Sequence, residues 1–215
     1  MSFWNYVQSN YHTILTDMFI HFKISALSIF FAAVIAIPLG IVLTKHRRAA
    51  VVVTAIAGVI QTIPGLVLIG IALMLFGMGA VPAIVVLTAY GILPIMENTY
   101  VGITEIEHKY VEAARGIGMS DMQILFKVQI PIAIPTIIAG IRLSTIYIIS
   151  WTTLAALIGA GGLGDLIWTG LACADTNMIL SGAIPASLMA ILSGFLFDWI
   201  QKGLVNRRHQ KGGEN

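Results

Sequence analysis

A chain of 215 residues that is 58% hydrophobic and only 10% charged lies far from water-soluble domains, in which about 25% of residues carry charge. Too few polar groups remain to coat a globule of this size in water, which excludes a soluble enzyme or nucleic-acid-binding module and makes lipid the solvent. The formal net charge of +2 excludes nothing by itself, because in a membrane protein it is the placement of the cations that carries information.

A helix crossing the hydrocarbon core needs roughly 20 apolar residues, and the chain offers five such runs. The first covers residues 19–44; it lacks a basic leader and is too long for a signal core, so it reads as a retained span. The second covers 50–78 and is interrupted at Gln61-Thr62-Ile63-Pro64-Gly65, where it is either one helix or two pieces broken at Pro64. The third covers 81–101. A polar segment at 105–127 separates it from the fourth, at 131–158. A glycine-rich stretch containing Trp168, Cys173 and Asp175, which reads as lying at the membrane surface, precedes the fifth, at 178–200. The expected fold class is all-α, with a single transmembrane domain over 1–215 and about five membrane helices. Cys173 is the one cysteine, so no internal disulfide forms, and no His or Cys spacing suits a metal.

With five spans, ten of the twelve cations fall on one side: Lys45, Arg47 and Arg48; Lys109, Arg115 and Lys127; Lys202, Arg207, Arg208 and Lys211. The positive-inside bias makes that side the cytoplasm, with the N-terminus outside and the C-terminus inside. Only Lys23 and Arg142 fall elsewhere. Splitting the second run into two spans would strand one basic cluster outside.

The polar segment has the pattern helix, turn, helix. Ala113, Ala114 and Glu112 favour helix through Arg115, Gly116 and Gly118 interrupt it, and Ser120 followed by Gln123 forms a capping box for a second short helix. Two capped helices are more than a connector between spans requires, so the segment reads as a docking element.

Glu112-Ala113-Ala114, then Gly118, then Val128-Gln129-Ile130-Pro131 at their particular spacing resemble the EAA signature of ABC importer membrane subunits. In that family the loop forms a coupling helix seated in a cleft of a cytoplasmic ATPase, and the resemblance implies that role for Glu112, Ala113, Ala114 and Gly118. Gln61 to Leu66 and Leu154 to Gly164 further resemble the branch that imports quaternary-amine osmoprotectants such as glycine betaine, carnitine or choline during osmotic stress. Permeases for methionine and other small solutes share the loop and layout and remain the alternative. The resemblance implies a bacterial cytoplasmic membrane, a second permease subunit, identical or related, a separate ATPase that binds ATP and Mg, and an external solute-binding protein. No cofactor is expected on this chain: the glycine run 159–164 is followed by Asp165-Leu166 and lacks the Lys and Ser/Thr of a phosphate loop. The chain thus reads as a conduit and not an enzyme. An ion-coupled transporter would favour midplane carboxylates and an internal repeat, and the only acid assigned to a span interior is Glu97.

Candidate pathway residues are the polar and aromatic groups at membrane depth. Arg142 lies near the midplane, where an unpartnered charge is costly. It either orients a solute or pairs with Glu97 or with carbonyls. Tyr90, Tyr147 and Trp151 could hold a quaternary ammonium group against their ring faces, or serve as core and interface residues. Gln61, Thr62, Thr152 and Thr153 either line a polar path or bond back to their own helices.

Overall fold

The computed structural model describes residues 2–212, with side chains as far as Leu204, so the side chains of Arg207, Arg208 and Lys211 lie outside the described residues. Helices account for all the regular structure described. α1 (Phe3–Leu43) is followed by α2 (Arg47–Thr62) and α3 (Gly65–Phe76), then by α4 (Ala80–Thr104). The short α5 (His108–Gly116) and α6 (Asp121–Ile124) lead through a π-turn at Leu125–Gln129 into α7 (Ile130–Thr152). A 3-10 turn (Thr153–Ile158), α8 (Leu163–Ala172) and α9 (Thr176–Gly212) complete the chain.

Four helical stretches are long and apolar enough to cross a membrane, and the bent pair α2–α3 brings the candidate spans to as many as five. The expected interruption of the second run is a sharp corner, with 94° between the axes of α2 and α3. Ile63 precedes a proline and is pushed out of the helical region, to φ −71° and ψ 128°. Pro64 brings no N–H, and its carbonyl instead starts the next helix by accepting from Val67 N at 2.8 Å.

α1 begins at Phe3, well before the apolar run at residue 19, because Ser2 caps it by accepting from Asn5 N. At about 1.5 Å per residue its 41 residues extend for about 60 Å, twice the hydrocarbon thickness of about 30 Å. The surplus is tied down: Ile14, with Val7 and Met18, packs on Leu163 and Leu166 of α8 and Ala186 of α9.

α4 is the central span, 61% buried over its apolar window against 22–28% for the other long helices. It lies between α1 and α7, and small residues permit the close approach. A Cβ at Gly140 would stand 2.6 Å from Asn98 Cβ, and one at Gly40 2.8 Å from Thr99 Cβ. We expect Gly140→Val to push α7 off α4 and lower the melting temperature of the detergent-solubilised protein by several degrees, an overpacking cost of about 1–3 kcal/mol; an unchanged melting curve would refute the tight α4–α7 contact. On the outer faces, Phe19, Phe30, Val51, Met74, Phe195 and Trp199 are all more than half exposed, as expected where lipid replaces water.

Candidate functional site

The corner between α2 and α3 frees a carbonyl, and α4 supplies its partner. Tyr90 Oη donates to Ile63 O at 2.5 Å, while Gln61 Nε2 donates to Tyr90 O at 3.1 Å. These two bonds fix the last turn of α2 against α4 and set the Tyr90 ring. That ring stacks on Trp151 of α7, with centroids 4.8 Å apart and planes 28° from parallel. Trp151 in turn lies directly on the backbone of Gly65, where a Cβ would come within 1.8 Å of Cζ3. Only glycine leaves room for the indole there.

Gln61, Tyr90, Tyr147 and Trp151, four of the eight expected pathway residues, line one cavity of about 270 Å³, completed by Leu87 and Ile148. Tyr90 is buried, whereas Tyr147 is 47% exposed and stands at the open side. The other four stand apart. Thr62 Oγ1 bonds back to Val59 O, and Thr153 Oγ1 to Ser150 O. Thr152 is fully buried between Ile148 O and Ser25 Oγ, which ties α7 to α1.

Arg142 does not pair with Glu97. Its Nη1 is 2.7 Å from Asp198 Oδ1 on α9, and Glu97 is exposed on α4. The reason is the helix face: Arg142 and Ile146, four residues apart, share the side of α7 that meets Gly194 of α9. Asp198 is also an acid within a span, one that the sequence reading left out when it singled out Glu97. Arg142 Nε is buried and has no hydrogen-bond partner among the described residues.

Sequence reasoning missed His21 as well. It is fully buried in α1, with Nε2 2.9 Å from Ile149 O of α7, and the backbone of Gly162 closes over it. A lone histidine inside an apolar run was the available signal.

The polar segment between α4 and α7 is built around Gly118, at φ +81°. α5 closes with a bond from Met119 N to Ala114 O, spanning the left-handed glycine. Ser120 and Gln123 then form the expected capping box at the start of α6. Arg115 bridges the turn to Asp121 at 3.1 Å, and Lys109 pairs with Glu107. Ala114 is buried, while Glu112, Ala113 and Gly118 are exposed. Ile117 is 80% exposed beside the turn, and Met122 and Phe126 are more than half exposed. The segment therefore presents small and apolar groups between charged pairs. The π-turn that follows is attributable to Pro131, which cannot donate to a carbonyl of the preceding turn.

Residues 36–210 match the model of the family described as binding-protein-dependent transport system inner membrane component. Curated relatives align along nearly the whole chain. The glycine betaine/carnitine/choline transport system permease protein OpuCD of Bacillus subtilis (strain 168) is 39% identical over 96% of this chain and 91% of its own length. The carnitine transport permease protein OpuCB of Listeria monocytogenes is 38% identical over 97% of both chains. The choline transport system permease protein OpuBB of B. subtilis (strain 168) is 40% identical over 93% of this chain and 92% of its own. Among solved structures, a chain of the MetNI methionine ABC transporter in an inward-facing conformation superposes with a TM-score of 0.79 at 24% identity, covering 89% of this chain and 96% of that one. That likeness speaks for the fold alone.

Proposed function

Because the chain belongs to the family of binding-protein-dependent transport system inner membrane components, we propose that it carries quaternary-amine osmoprotectants, glycine betaine, carnitine or choline, across the bacterial cytoplasmic membrane. It is a multi-pass permease subunit of an ABC importer and is not itself catalytic. The observation that carries the substrate assignment is chain-long identity of 38–40% to permeases named for these three solutes.

On this reading the N-terminus lies outside and the docking segment lies in the cytoplasm, where Glu112, Ala113 and Gly118 meet an ATPase that binds ATP and Mg, with Ala114 buried behind them. The exposed Ile117 supports a partner there, because a large apolar side chain at the end of a polar helix is better covered than solvated. ATP-driven closure of two ATPase subunits would move both docking segments and switch the pathway between its outward- and inward-open forms. A second permease copy closes the pathway, and an external binding protein delivers the solute. The pathway runs along the exposed side of α7, past Tyr147 and the cavity that it shares with Gln61, Tyr90 and Trp151.

The test is uptake of radiolabelled glycine betaine, carnitine and choline by cells that depend on this permease with its ATPase and binding protein. ATP-dependent accumulation of at least one is expected. Accumulation of none, with the complex intact in the membrane, would overturn the substrate assignment and leave family membership untouched.

A further inference from the structure

One cavity is lined by Gln61, Leu87, Tyr90, Tyr147, Ile148 and Trp151. Its walls are aromatic and aliphatic, Gln61 is its one amide, and none of these six residues is charged. A metal cation would find no cage of oxygen ligands there, and a free carboxylate would find no cation. A trimethylammonium group suits such walls. It has no N–H to satisfy, its charge is spread over methyl groups, and aromatic faces attract it through their quadrupoles, most strongly when water is excluded.

We propose that this cavity is a transit site inside the permease for the trimethylammonium head of the solute. The proposal rests on the quaternary-amine reading of the preceding subsection and assigns the recognition step within the membrane to Trp151, Tyr147 and Tyr90.

Three features favour a site over ordinary packing. The rings come from two separate helices and converge on one space of about 270 Å³. Two of them are pinned: Tyr90 by its bond to Ile63 O, and Trp151 by stacking on Tyr90 and by its seat on Gly65. The third, Tyr147, is half exposed at the mouth, on the same side of α7 as the exposed Leu143 and Ser150, so a solute moving along that face meets it. A fixed carboxylate in the wall would hold the cation more tightly; without one, binding stays weak enough for release, as conduction requires.

The experiment uses the complete permease–ATPase complex in nanodiscs, without binding protein, and measures equilibrium binding of radiolabelled choline. Fluorinated tryptophans are installed at position 151 alone, which retains the shape of the ring while draining its π-face. Affinity is expected to fall stepwise with each added fluorine, to fall roughly tenfold in Trp151→Leu and in Tyr147→Leu, and to resist competition from 3,3-dimethylbutanol, the uncharged counterpart of choline. Affinity that stays flat across the fluorinated series, or absence of choline binding by a complex that transports choline when the binding protein is added, would overturn the site and leave the transport reading standing. A wild-type complex that transports none of the three amines overturns both.

Discussion

Asp198→Ala is expected to destabilise the permease by about 2–4 kcal/mol and to lower its melting temperature by roughly 5–15 °C, because the substitution leaves the Arg142 guanidinium without its counter-ion among apolar side chains. The pair is close, at 2.7 Å, and its surroundings are Ile146, Ala190, Ile191, Gly194 and Phe195. The side chains of the pair are 39% and 31% exposed, so the loss is that of a partly buried charge, and Arg142 Nε is already without a hydrogen-bond partner among the described residues. Asp198→Asn keeps a carbonyl oxygen in place and should cost less than alanine. The exchange Arg142→Asp with Asp198→Arg restores opposite charges and should recover most of the loss, which separates an ion pair from a mere size requirement. Thermal unfolding of the four proteins in nanodiscs is the measurement. A cost under about 1 kcal/mol for Asp198→Ala, the worth of a solvent-exposed pair, would place Arg142 against water and restore its candidacy as a pathway residue.

That pair marks where sequence reading stops. Hydropathy located the apolar runs because a span needs a continuous stretch of about 20 residues, and this is a one-dimensional property. Which helix faces which is not. Glu97 and backbone carbonyls were the partners the sequence offered Arg142 if it did not face a solute, and only the packing of α7 against α9 through Gly194 directs it to Asp198. The break at Pro64 was legible from the chemistry of proline; the 94° corner was not, since it depends on Tyr90 of α4 reaching Ile63 O. The start of α1 at Phe3 was hidden because residues 3–18 are polar enough to resemble a tail, and they are held by contacts with α8 and α9 more than 140 residues away.

The candidate sites divide in the same way. Aromatic and polar residue types at membrane depth could be picked from the sequence, but all eight candidates looked alike there. The structure brings four of them into one cavity and leaves the threonines bonded to carbonyls of their own helices or, at Thr152, also to α1. A hydroxyl that can bond a carbonyl three or four residues back carries no outward signal. Gly65 went unnoticed as a site residue for the opposite reason: its contribution is the absence of a side chain beneath Trp151. The helix, turn and capped helix of the polar segment were far more legible, because capping boxes and glycine turns are local and their residues lie next to one another in the chain.

The same locality makes Gly118 the position with the largest expected functional effect: Gly118→Val should reduce ATP-driven uptake by up to about five- to thirtyfold while the protein remains in the membrane. The φ of +81° is one that a β-branched residue adopts only with strain, at roughly 1–2 kcal/mol for an ordinary L-residue. No heavy atom lies within 4 Å of a Cβ built there, so the cost is conformational and not a clash. The backbone can escape it only by opening the turn, and the turn is what holds α5 against the capped start of α6 through the Met119 N to Ala114 O bond and the Arg115–Asp121 bridge. A shift of 1–2 kcal/mol changes the equilibrium constant between the closed and opened turn by a factor of about 5–30, and opening it swings the exposed Ala113 and Glu112 away from the ATPase proposed to contact them. Because asparagine tolerates the left-handed region better than alanine, and alanine better than valine, uptake should rank wild type, Asn, Ala, Val, and recovery of the ATPase with the solubilised permease should follow the same order. A clash mechanism would rank the variants by size and place Asn below Ala. Equal uptake across the series would mean that the turn does not transmit the stroke and that Glu112, Ala113 and Gly118 are not the point of contact with the ATPase.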